Sequence, residues 1–212
     1  IIGLMLSTLI MSAAFGTGDT LTSSVSSQVY GILGETDEYI NWEVEKNPAP
    51  REAQVIPLAT VDAWKEQLAG DPNIEAIAPF QRETLPIVNT RTRLNEPSAR
   101  IVAFRKEDTE ALGGLRDLAG APVELSGNAI AVNRDLAEQI DARVGDVVVL
   151  FYQGTPVEFT VAAITPSNVR SGAADPFAMR GGAVDFATFT ELTGRGDVAD
   201  GEDARQVRGA GG

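Results

Sequence analysis

Carboxylates are the most abundant ionisable groups of this 212-residue chain, with 30 Asp and Glu against 17 Lys and Arg, and neither His nor Cys occurs. Those two absences remove thiolate nucleophiles, disulfides, the usual imidazole base and the commonest zinc ligands. Carboxylate pairs could still run a glycosidase or aspartyl mechanism, which needs two acids converging in a pocket with separated pKa values. The candidates Glu43, Glu45, Glu83 and Glu158 fall on outward-facing strand phases or at strand ends, where solvation is the ordinary role of a carboxylate. Asp197, Asp200, Glu202 and Asp203 crowd one segment, but the spacing lacks the sixth-position Gly and closing Glu of a calcium loop.

Other motifs are equally bare of chemistry. Gly16-Thr-Gly-Asp19 is followed by no Gly-Lys-Ser/Thr at phosphate-loop spacing, and no Gly-x-Ser-x-Gly elbow or Ser-x-x-Lys pair is present. The tripeptide Arg195-Gly-Asp197 lies in a Gly, Asp and Arg-rich stretch where it arises easily by chance, and no role is assigned to it. We therefore expect no catalytic, cofactor-binding or metal-ligating residues. Arg91, Arg93 and Arg100 form the one local basic cluster, readable as a partner-contact loop or as an ordinary solvated loop. The net charge of −13 argues against nucleic acid as a partner, since phosphate binding relies on gathered Lys and Arg.

The elements that would position these residues begin with eighteen uncharged residues. Leu4, Leu6, Leu9 and Ile10 sit in an apolar run that reads as the end of a transmembrane helix over residues 1–18, or alternatively as a buried core helix. Leu21, Val25 and Val29 then continue a single apolar stripe on a Ser-rich helix, residues 19–34, as a stalk would; whether 1–34 is one helix or two stays open. Residues 37–45 alternate as a half-buried strand, and a Pro-rich connector at 47–50 precedes a helix that Thr60 would cap. Strands follow at 74–80, 84–90 and 99–104, the last two forming a hairpin around 91–97.

Ala129 to Val132 reads as a strand, Asn133 as a helix N-cap, and Leu136, Ile140 and Val144 as one helix face. Val144-Gly-Asp146 leads to a strand over 147–152, a turn at 153–156 and a second strand over 157–164. Asp185 caps a last helix carrying Phe186, Phe189 and Leu192, stopped by Gly194. The body, residues 35–194, is expected to be an α+β unit whose length allows one domain or two small subdomains sharing a core, and residues 195–212 a flexible acidic, Gly-rich loop or tail.

Two regions resemble MacB/FtsX-like ABC-transporter permeases. Leu4-Met-Leu-Ser-Thr-Leu-Ile-Met-Ser-Ala-Ala14 with Thr17-Gly-Asp-Thr-Leu21 is similar to the end of that family's first membrane span and stalk. Ile130-Ala-Val-Asn-Arg-Asp-Leu-Ala-Glu138, Val144-Gly-Asp-Val-Val-Val149 and Val157-Glu-Phe-Thr-Val-Ala-Ala-Ile164 resemble its extracytoplasmic core domain. The resemblance implies an α+β MacB-like periplasmic core fold with two small subdomains and a long N-terminal stalk helix, tethered in the cell membrane with the domain facing the periplasm or the extracellular side. It implies a cytosolic ABC ATPase subunit and a second permease subunit, identical or not, as partners. The implied role is non-enzymatic: coupling ATP hydrolysis to substrate export, lipoprotein release or regulation of an unidentified extracytoplasmic partner. Two alternatives from other classes stay open. The short helix, Val-Gly-Asp and hairpin also resemble double-psi barrels, which would suit a small β-barrel carboxylate enzyme, and a membrane-anchored adhesion or scaffold module fits the apolar start.

Overall fold

Short apolar and polar alternation, punctuated by Gly, Pro and Asx turns, makes this a chain of strands with brief helices between them. A computed structural model describes residues 32, 38–40, 55–110, 113–173, 179–200 and 203–207. In chain order these form β1 (Glu38–Ile40), β2 (Val55–Pro57), α1 (Leu58–Leu68), β3 (Ile74–Ala78), β4 (Phe80–Asn89), β5 (Asn95–Phe104) and α2 (Lys106–Thr109). There follow β6 (Ala129–Asn133), α3 (Arg134–Gln139), β7 (Val147–Tyr152), β8 (Thr155–Thr165), a 3-10 turn (Val169–Ser171), β9 (Gly181–Asp185), α4 (Phe186–Thr193), β10 (Val198–Asp200) and β11 (Asp203–Val207).

Six strands close into a barrel in the order β4-β5-β9-β6-β8-β7. Closure is made by β7 returning antiparallel to β4, Leu150 opposite Ile87, while β5 with β9 and β6 with β8 run parallel. Closing the sheet removes the exposed edges that an open sheet would leave. Ile87, Ile101, Ile130, Val132, Val148, Leu150 and Phe159 fill one core with Leu136, Ile140 and Phe189 of the helices. Each such side chain contributes about 1.5–3 kcal/mol by leaving water. Two residues, Pro97 and Ser98, face the single Pro86 where the β4–β5 register shifts. A bulge is where a strand accepts prolines, which lack the N–H of a regular ladder.

The second, smaller module is built from both sides of the barrel in sequence. β1, β11 and β3 form an antiparallel sheet, and β10 pairs with β2. Under α1, Ile56, Val61 and Ile77 are packed with Trp64, Leu68 and Ile74. Leu58 and Ala199 belong instead to the barrel's core cluster, so the two modules share buried apolar surface.

Several expectations need correction. The hairpin loop is tighter than 91–97, since β5 begins at Asn95 and tolerates Pro97 through the bulge. α1 starts at Leu58 and not after a Thr60 cap, because the Leu58 N–H is satisfied from outside by the Asp197 carbonyl at 3.0 Å. Val144 is 63% exposed and belongs to no helix face: α3 ends at Gln139, and Asp141 turns the chain with φ of 45°. The turn before β8 is only Gln153-Gly154, both residues with positive φ, as a two-residue hairpin requires, and Thr155 and Pro156 are already strand. The reading of 195–212 as a flexible tail is overturned for residues 195–200 and 203–207, which supply β10 and β11 and the ion pairs described below. No helix among the described residues is long and apolar enough to cross a membrane. Leu4, Leu6, Leu9, Ile10, Leu21, Val25 and Val29 lie outside the described residues, as do the connector at 47–50 and residues 41–45 of the expected first strand; Ile32 is helical and buried.

Candidate functional site

Two polar networks stand at opposite ends of β4, eight residues or about 26 Å apart at the usual rise of a strand. The first is at Gln81, whose side chain is fully buried and donates from Nε2 to the Val198 carbonyl at 2.7 Å. The neighbouring Arg82 N–H donates to the Asp200 carboxylate at 2.6 Å. Arg195 closes this clasp by pairing with Glu83 of β4 and, at 2.5 Å, with Asp200. Glu83, assigned to an outward phase, is thus held under Arg195. A second set of ion pairs joins the modules nearby: Lys65 of α1 to Asp108 of α2, and Arg105 to Asp62 of α1 at 3.0 Å.

The second network is at Asn89, also fully buried. Its Nδ2 shares hydrogens among the carbonyls of Ile140 and Asp141, each at 3.2 Å, and the Asp146 carboxylate at 3.0 Å. Thr92 Oγ1 donates to the Ile140 carbonyl at 2.8 Å. Arg91 reaches across to Asp146 at 2.9 Å and to Asp141. The Arg91 guanidinium, helped by N–H donors from Arg143 and Asn89, overcomes partial burial and holds the Asp146 carboxyl at about 2. The 90–94 turn and the 140–146 turn are consequently one rigid unit.

Between these ends a hub ties β6 to the segment before β9. Asn133 caps α3 by accepting from Leu136 N at 2.9 Å, as its sequence context announced, and its Nδ2 also donates to the Ser171 and Met179 carbonyls at 3.1 and 2.6 Å. Gly172 and Gly181 pack against the Arg100 carbonyl so closely that a Cβ on Gly181 would come within 2.5 Å of it. An open cleft lies between α2, residues 114–125 and the wall at Val184. Its charges have structural roles: Lys106 pairs with Glu124 at 2.7 Å, and Asp185 caps α4 through Thr188 N.

Of the nominated basic cluster, the fold keeps Arg91 and Arg93 together in the hairpin turn and separates Arg100, which pairs with Thr84 well down the strand. It adds Arg143, absent from the nominated set, whose side chain is 72% exposed beside Asp141. The signal for Arg143 was its place before Val144-Gly-Asp146, which the sequence alone could not bring against a hairpin fifty residues earlier. Among the described residues no three acidic side chains gather as a metal site would require. A closed barrel is present, but its polar clusters join backbone segments and do not converge on a pocket.

The described residues thus form a closed barrel and a small module built from strands on both sides of it in sequence. The family profile for the MacB-like periplasmic core domain matches residues 1–210, and the chain belongs to that family. Its fold is similar to the periplasmic region of MacB from Actinobacillus actinomycetemcomitans, with a TM-score of 0.54 and 12% identity over 89% of this chain and 82% of that one. It is also similar to the extracellular domain of the noncanonic ABC-type transporter YknZ from Gram-positive bacteria, with a TM-score of 0.50 and 10% identity over 82% of both chains. No curated protein sequence matches it.

Proposed function

We propose that this domain is a non-enzymatic transmission element: it carries motion generated by a cytosolic ABC ATPase to a substrate or partner outside the membrane. Residues 1–18 anchor it in the cell membrane through Leu4, Leu6, Leu9 and Ile10. The stripe of Leu21, Val25 and Val29 carries displacement outward, and a second permease subunit completes the assembly. No cofactor or nucleic acid takes part. The observation that carries this reading is the clasp: the module holding both flanking strands is bolted to the barrel by Gln81, Arg195, Glu83 and Asp200. A rigid joint at that point passes displacement into the barrel and does not dissipate it.

The test uses the full-length permease purified with its ATPase. Arg195→Ala is expected to leave ATP hydrolysis near the parental rate while the extracytoplasmic output, export or release, falls several-fold. Unchanged output with a loosened clasp would remove the transmission role. Failure of the permease to copurify with any ATPase would remove the transporter reading itself.

A further inference from the structure

The end of the barrel remote from the clasp presents an unusual surface. Among the described residues three large apolar side chains are exposed, Leu94, Leu118 and Val144, and two of them stand on the fused turns at this end. Leu94 is 46% and Val144 63% exposed. Arg93 and Arg143 flank them, and the exposed Arg91 ties the two turns through Asp146 and Asp141, in a chain whose net charge is −13. The backbone is also unusual: of the three non-glycine residues with positive φ among the described residues, Arg93 at 61° and Asp141 at 45° both lie here. Gly adopts that conformation without steric cost, so Arg93 holds it at an expense that the turn's bonds, Arg93 N–H to the Asn89 carbonyl at 2.8 Å among them, must offset. Strain of this kind gathers at functional surfaces.

We propose that this tip, Arg93 and Leu94 with Arg143 and Val144, is a docking surface for a protein partner that offers an apolar depression rimmed by carboxylates. Charge complementarity selects the occupant: two outward guanidiniums against an otherwise acidic domain steer an acidic rim, and the two aliphatic side chains fill its centre. A lipid surface fits less well, because both turns lack the Trp or Tyr that seats at a headgroup boundary, and two aliphatic side chains make a small insertion patch. The Asn89, Thr92 and Asp146 bonds fix both turns before any partner arrives, so little ordering is lost on binding. The inference rests on the transporter reading only for the existence of a partner outside the membrane.

The experiment places a photo-crosslinking amino acid at Leu94, at Val144 and, for comparison, at Leu118 of the full-length permease in its native cells. Expected is one protein captured from both tip positions and not from Leu118, with Asp or Glu flanking the crosslinked residue in its sequenced peptide. Arg93→Glu with Arg143→Glu should lower the yield at least about fivefold, while the isolated domain melts at its parental temperature. Adducts to lipid, adducts to a second copy of this chain, a yield indifferent to charge reversal, or no adduct at the tip would each overturn the proposal. Copurification of the ATPase, followed in the same cells, separates these failures from failure of the transporter reading.

Discussion

Asp146 shows how much of this domain's order rests on single side chains. Its folded-state pKa of about 2 lies below its ordinary value of 3.8, so its bonds stabilise the fold fully above the unfolded value and fade as pH falls towards 2. Asp146→Asn should cost about 1 kcal/mol at neutral pH, an amount set by a solvent-screened ion pair and its hydrogen bonds. Denaturant titrations at several pH values check this: the gap between variant and parent must shrink on acidification, and a constant gap would place the cost elsewhere. Glycines give a second contrast. Gly172→Ala meets the Arg100 carbonyl at φ of 87° and should cost about 3 kcal/mol or prevent folding, whereas Gly194→Ala, with open space around it at φ of 68°, should cost about 1 kcal/mol in the same titration. Caps such as Asn133, Asp185 and Gly194 were legible in the sequence because donor and acceptor lie within four residues of each other. Gln81 and Arg195 were not, since Gln81 meets Val198 across 117 positions and nothing local marks such a pair.

At the level of elements, the strands and helices were mostly foreseeable and their closure was not. Alternation and short apolar runs located β4 to β8, whereas β9, Gly181–Asp185, was not foreseen, and only non-local register turns these strands into a ring. β10 escaped notice because three residues, Val198–Asp200, are too few to display a period amid Gly and Asp. Its stability is borrowed from the clasp. Arg195→Ala should therefore speed amide exchange in β10 and β2 at least about tenfold while β6 and β9 exchange as before, a local opening of about 1.4 kcal/mol in free energy. Equal acceleration throughout the barrel would mean that Arg195 supports global stability and not the joint. Asn133→Ala is the opposite case. It removes a cap and strands the buried Ser171 carbonyl and the part-buried Met179 carbonyl, at about 2–3 kcal/mol, and its effect should appear as a lower unfolding midpoint of the whole domain.

For the molecule as a whole, the chain path matters more than any single element. The barrel is an uninterrupted run from β4 to α4, and the small module is assembled from what precedes and follows it. Residues 79–195 alone should unfold cooperatively in urea, with a midpoint below that of the full domain because Leu58 and Ala199 leave the shared core. A non-cooperative transition would show that the ring depends on the module to close. Length left one domain or two subdomains open, and only the family resemblance implied two; the sequence placed the last boundary at 194, before strands β10 and β11 of the smaller module. The pairing of β1 with β11 has a mechanical corollary. Glu38 lies opposite Arg205 and Ile40 opposite Asp203, so the chain enters β1 and leaves β11 on the same side of the pair. Pulling those two leads apart loads the ladder one rung at a time, the unzipping geometry, in which hydrogen bonds break singly at low force. Moving both leads together loads no rung at all. The β1–β11 ladder therefore withstands loads that move its two ends in concert and opens under loads that part them.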